Sequence, residues 1–173
     1  LLQRTTAFEG PSGVVIRARI LNEVRVGYLL RHLIRGAETL DSPCEPPLLL
    51  GELRRRLLAC EDHIFTLLSL MDRHGASAMV LDNLRRGDAK QRTHALELLE
   101  ISFRRYVAQV LLPFMQGTDD RWAIHNVLGD GWERLRLAER DPVASVLRSR
   151  DAWLQRCVAF EFPARVAELA PER

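Results

Sequence analysis

His94, Glu97 and Glu100 stand at three-residue steps within THALELLE. On a helix that spacing turns an imidazole and two carboxylates toward one face, and these are donor types that a divalent metal ion takes. Ala95, Leu96, Leu98 and Leu99 lie between them, so the same spacing also describes the solvated face of an amphipathic helix. That second reading is the simpler one. Cys60 and His63 share a helical face beside Asp62, but Cys60 belongs to an apolar series and no second pair of ligands has matching spacing. A buried thiol and a surface histidine are expected there. The acid pairs Glu61-Asp62 and Asp119-Asp120 lack a partnering nucleophile, and the second pair sits where a helix cap is wanted. Ser69, Ser102 and Ser145 fall in helical stretches without the glycines of a nucleophile elbow. Gly129-x-Gly131 alone makes neither a phosphate loop nor a dinucleotide fingerprint. No catalytic residue, metal or cofactor is expected, and the chain is read as non-enzymatic.

The arginines allow a different chemistry. They gather at Arg54-Arg55-Arg56, Arg85-Arg86, Arg104-Arg105, and Arg134, Arg136 and Arg140, and Trp122, Trp132 and Trp153 could be imagined as stacking groups for bases. Against nucleic acid stands the balance of 25 basic and 23 acidic side chains, a formal net charge of +2. A phosphate-binding surface needs an excess of positive charge on one side. Solvated faces and ion pairs between helices are the expectation, with Trp132 and Trp153 filling the core. Arg54, Arg55, Arg85, Arg86, Arg104 and Arg105 are the candidate interface positions.

The elements that position these residues are helical throughout. An apolar fraction of 47 % with 28 % charged residues describes a folded domain with a core. No apolar run is long enough to cross a membrane. Three widely spaced cysteines, Cys44, Cys60 and Cys157, do not make a disulfide framework, which favours a reducing, cytoplasmic setting. All basic residues but Lys90 are arginine, as the codon usage of a GC-rich bacterial genome produces. The first residue is not Met, which fits a piece of a longer protein.

Ile16, Ile20, Val24, Gly27, Leu30 and Ile34 predict a first helix, with Ser12 as its cap and Gly36 weakening its last turns. The prolines of DSPCEPP, residues 41–47, make a connector. Leu50, Leu53, Leu57, Cys60, Ile64, Leu67 and Met71 then alternate in steps of three and four, a seam that serves either a hairpin with the first helix or a homodimer through residues 50–71. Short helices follow, punctuated at Gly87-Asp88, Thr118-Asp119-Asp120, Gly129-Asp130-Gly131, Asp141-Pro142 and Asp151. Residues 1–173 are read as one all-α domain: a helical hairpin over 12–72, paired short helices over 75–165, and a tail over 166–173.

Asp88, Asp119 and Asp151 open three of these helices at intervals near 31 residues, the kind of period that stacked helix pairs show. The clearest unit is Asp88-x-x-x-Arg92-x-x-Ala95-x-x-Leu98-Leu99. It resembles the HEAT-repeat family, and the resemblance implies that Asp88 caps a second helix and Arg92 contacts a neighbouring repeat. The unit at Asp151 fits in part, with Gln155 and Val158 in the Arg and Ala positions. The unit at Asp119 rests on spacing alone. The segment NLRRGDAKQRTHALELLE after a long helical pair is also similar to HEAT-like cytosolic domains attached to some bacterial transporter-like and cyclic-nucleotide-binding proteins. The expected role is a scaffold or regulatory module that binds another protein or another domain of its own chain. A nucleic-acid-binding or repair-like helical-repeat protein is the alternative.

Overall fold

A computed structural model describes residues 11–71, 76–102, 105–117 and 121–169. The described chain is all-α, with no strand among the described residues. Its elements are α1 (Pro11–Glu38), α2 (Leu48–Met71), α3 (Ala76–Arg86), α4 (Ala89–Ser102), α5 (Arg105–Gln116), α6 (Arg121–Leu128), a 3₁₀ turn (Gly129–Gly131), α7 (Trp132–Arg140), α8 (Pro142–Leu147), α9 (Ala152–Glu161) and α10 (Pro163–Leu169). α1 opens at Pro11, one residue ahead of the expected cap Ser12; proline at a first helical position loses no hydrogen bond. The connector 41–47 contains a cis Glu45–Pro46 peptide bond, and α2 begins as soon as its prolines end. Gly117 closes α5 with φ of +70°, the left-handed conformation that glycine adopts without strain at a helix C-terminus. The expected caps at Thr118, Asp119 and Asp120 lie outside the described residues.

Contacts gather the chain into two compact units, one of residues 1–25 with 60–127 and one of residues 26–59 with 128–173. The division runs across the 12–72 segment instead of at its end. α1 has 28 residues and α2 has 24, and each gives its two halves to different units.

In the first unit α3 packs on α4 and α4 on α5. Ile20 and Val24 of α1, Ile64 and Leu68 of α2, Ala95 and Leu99 of α4, and Leu111 and Phe114 of α5 are buried. The Cys60 thiol donates to the Glu23 carbonyl oxygen at 3.0 Å, which ties α2 to α1. Arg25 Nε donates to the Val127 carbonyl oxygen at 2.7 Å, satisfying an acceptor at the end of α6 that the helix itself cannot.

In the second unit α7, α8 and α9 pack in succession, and α10 lies on both α8 and α9. Tyr28, Leu33, Leu49, Leu53, Leu135, Val143, Leu154 and Val158 are among its buried residues. Gly36 is also a point of close contact. A Cβ at that position would fall on the Glu139 carbonyl oxygen, 3.0 Å from its carbon and 3.1 Å from the Ala138 oxygen. The backbones of α1 and α7 approach too closely for a larger residue.

The α2 seam is partly buried within the chain. Leu53, Cys60 and Ile64 are buried, and Leu50, Leu57, Leu67 and Met71 are half-buried. Past its first residue, α2 leaves Leu58 and Leu70 as exposed large apolar side chains.

Candidate functional site

α9 is a ten-residue helix held at both ends by α2. At its start Asp151 accepts a hydrogen bond from the Leu154 N–H at 3.0 Å, as an N-cap. The same carboxylate takes a two-pronged contact from Arg56, with Nη2 donating to Oδ1 at 3.1 Å and Nη1 to Oδ2. Arg56 also donates to Glu52 at 2.8 Å, and Arg55 holds both oxygens of Glu52 at 2.8 Å. The Arg55 hydrogen bond, with help from Arg56, lowers the Glu52 pKa to about 2 against burial that would raise it. The Arg56 contact holds Asp151 below its ordinary range as well.

At its end α9 carries Glu161, which is only 1 % exposed. One carboxylate oxygen accepts the Leu49 N–H at 2.5 Å, a donor of the first turn of α2. The other accepts the Ser42 hydroxyl, so the connector and the start of α2 are fastened to one buried acid. The pairs 56 with 151 and 49 with 161 show that α2 and α9 run antiparallel. Between the anchors Leu154, Cys157 and Val158 are buried, and burial, then the charge of Glu52, pushes the Cys157 thiol up from its ordinary pKa.

The other face of this clamped helix is apolar and open. Trp153 is 53 % exposed and Phe160 is 73 % exposed. Arg156 lies between them on the exposed side, and at 3.6 residues per turn the three fall within an arc of about 60°. Trp153 was expected to supply core bulk and does the opposite. Asp151 as the cap sets the helix phase, which turns Leu154, Cys157, Val158 and Glu161 inward and leaves 153, 156 and 160 out. Trp132 is half-buried and meets His32 edge-on, with ring centroids 5.9 Å apart.

The other positions singled out by sequence do not converge on this face. Asp88 caps α4 through a reciprocal pair, its carboxylate accepting the Gln91 N–H at 2.8 Å while its own N–H donates to the Gln91 side chain at 2.9 Å. Ala95 is fully buried, and Arg92 is exposed without an ion pair among the described residues. Of the candidate interface arginines, Arg54 pairs with Glu38 at 2.8 Å, Arg55 with Glu52, Arg85 with Asp62 at 2.8 Å, and Arg86 with Asp82 at 3.4 Å. The side chains of Arg104 and Arg105, and Asp119, lie outside the described residues. His94, Glu97 and Glu100 are exposed on α4, with a His94–Glu97 contact of 3.6 Å. Among the described residues no group of three His, Cys, Asp or Glu side chains is placed to hold a metal ion.

The buried polar residues among those described, Glu23, His32, Ser77 and Glu161, escaped the sequence reading. Glu161 occupies the inward stripe of α9, seven residues after Leu154 and four after Cys157, so an acid at a core position was available as a sign. His32, 3 % exposed, bonds Glu139 through Nδ1 at 2.6 Å and joins α1 to α7. An open groove of about 350 Å³ lies along α7, lined by Glu133, Arg136, Leu137, Glu139 and Arg140. Its alternating charges present no nucleophile with a base. No protein-family model, curated protein or solved structure matches the chain.

Proposed function

We propose that the chain is a non-enzymatic helical interaction module, a scaffold or regulatory part that binds another protein or another domain of its own chain, and that α9 carries its docking face. The observation that carries this reading is the exposed pair Trp153 and Phe160 on a helix anchored at both ends. The exposed fractions are 53 % and 73 %. Aromatic side chains present ~150–250 Å² each, which leaves on the order of 250–300 Å² of this pair in water. Covering it is worth up to about 7 kcal/mol at ~25 cal/mol per Å², before the cost of association. The anchors at Asp151 and Glu161 fix the helix in advance, so little ordering remains to oppose a partner.

A HEAT-like stack is the scaffold this reading favours. Its support is the packed α3–α4 pair, the Asp88–Gln91 cap and the buried Ala95 and Leu99, with the cap repeated at Asp151.

Site-specific photo-crosslinking from positions 153 and 160, in the full-length gene product in its own cells, tests the proposal. Thr66 and Arg86, exposed and polar, serve as controls. A discrete adduct from 153 and 160 that is missing from 66 and 86 is expected. The same adducts from all four positions, or none from 153 and 160, would refute a docking face on α9.

A further inference from the structure

We infer that the α9 face takes an acidic segment with apolar side chains on one side, such as an amphipathic helix edged with carboxylates; this rests on the reading of α9 as a docking face. The inference comes from charges that have no ion-pair partner among the described residues. Residues 142–160 contain three arginines, Arg148, Arg150 and Arg156, and one acid, Asp151. Asp151 is already committed, since it caps α9 and receives Arg56. Arg148, Arg150 and Arg156 are exposed and make no ion pair among the described residues.

The arginines of α2 contrast with them, since Arg54, Arg55 and Arg56 all end on carboxylates of the same unit. The face therefore offers two aromatic surfaces, a cation between them at Arg156, and two more cations in the turn that leads into α9. Planar guanidinium groups bind carboxylates through two parallel hydrogen bonds. A ligand that satisfies both features needs apolar side chains for Trp153 and Phe160 and carboxylates at its margins.

The size of the patch favours a short segment over a second copy of the chain. Its apolar part is on the order of 250–300 Å², whereas a stable protein pair buries ~800 Å² on each side. A peptide segment with a few anchoring side chains fits that area, and aromatic and arginine residues are the types that anchor such contacts. A nucleic-acid duplex, whose bases are already stacked on one another, would use the arginines but would leave Phe160, 73 % exposed, uncovered.

The test is fluorescence anisotropy with the full chain and four probes: a labelled amphipathic peptide of Leu and Glu, the same peptide with Lys for Glu, the same peptide with Gln for Glu, and a short DNA duplex. The Leu/Glu peptide is expected to bind saturably and most tightly. Trp153→Ala combined with Phe160→Ala should weaken it by about tenfold or more. Arg156→Glu should weaken it similarly and improve binding of the Lys peptide, while Arg156→Lys, which keeps the charge but loses the two-pronged geometry, should weaken it less than Arg156→Glu does. Thermal melts matching the parent chain show that the variants are folded.

If the Gln or Lys peptide binds as well as the Glu peptide, and still depends on Trp153 and Phe160, the acidic class is overturned and the docking face stands. If no probe depends on Trp153 and Phe160, the docking face falls too. Tighter binding of the duplex that depends on Arg148, Arg150 and Arg156 would assign the face to nucleic acid. A dimer in sedimentation that is lost in the Trp153→Ala, Phe160→Ala chain would assign it to a second copy.

Discussion

Replacing Glu161 tests whether one buried acid fastens the connector and the start of α2 to α9. In Glu161→Ala the Leu49 N–H loses its acceptor while Leu49 itself stays 1 % exposed. An orphaned buried donor costs ~1–3 kcal/mol. The Ser42 hydroxyl keeps a weaker partner in the Cys44 carbonyl oxygen at 3.2 Å, so it adds little. Removing a buried side chain beyond Cβ leaves a cavity worth a further ~1 kcal/mol in a site that collapses partly. Together these give a loss of about 2–4 kcal/mol. Glu161→Gln keeps the shape and one carbonyl oxygen for the Leu49 N–H, and its loss should stay below about 1.5 kcal/mol. Urea unfolding reads both, followed by far-ultraviolet circular dichroism and by tryptophan fluorescence; Trp132 and Trp153 belong to the unit that contains Glu161. Equal losses below about 1 kcal/mol for Ala and Gln would refute the anchoring role, because the orphaned N–H alone predicts more.

A pair of glycine substitutions and the response to acid give two further checks. Gly36→Ala gains ~1 kcal/mol of helix propensity, but its Cβ collides with backbone carbonyls of α7, and overpacking costs ~1–3 kcal/mol or more. A net loss in urea midpoint is expected, whereas Gly51→Ala, whose Cβ meets nothing within 4 Å, should gain; gains of equal size at both sites would refute the close approach of α1 and α7. Glu52 is held at about 2 against an ordinary 4.5, so the folded chain binds that proton more weakly than the unfolded chain. Its contribution is therefore complete above pH 4.5 and is lost as the pH falls toward 2, with Asp151 shifted in the same direction. The urea midpoint should fall across that window, and Glu52→Gln should flatten the fall; an unchanged slope in the variant would count against the Arg55–Glu52–Arg56 pairing.

What could be read from sequence was whatever acts within a few residues. The prolines of the connector set the start of α2, and the Asp88, Asp141 and Asp151 caps sit where their helices begin. Each is a contact between a side chain and a backbone group three residues away, so no distant neighbour had to be known. The phase of α9 was harder. Ala152, Trp153, Leu154, Cys157, Val158, Ala159 and Phe160 are apolar on nearly every side, and fewer than three turns allow more than one inward stripe. The choice is made by Arg56 and by the Leu49 N–H, which lie far away in sequence and fix residues 151 and 161. Trp153 consequently faces out, and Glu161 goes in because a helix N-terminus meets it there. The division of α1 and α2 between two units was hidden for a similar reason, since their apolar periodicity runs through without a break.

The arginines show why density of charge is a poor guide to an interface. Arg54-Arg55-Arg56 is the densest run, yet it lies on a helix that also carries Glu52, opposite Glu38 and Asp151. Arg85 and Arg86 likewise have Asp62 and Asp82 within reach. Salt bridges of this kind satisfy the cation at little net gain in stability, and they remove it from the charge a partner would meet. The sparser set of Arg148, Arg150 and Arg156 has Asp151 and Glu161 near it in sequence, but Arg56 has already claimed the first acid and Ser42 with the Leu49 N–H the second. What a partner would meet is the charge left after the intramolecular pairs are subtracted, and among the described residues that subtraction removes the arginines of α2 and leaves those beside and within α9.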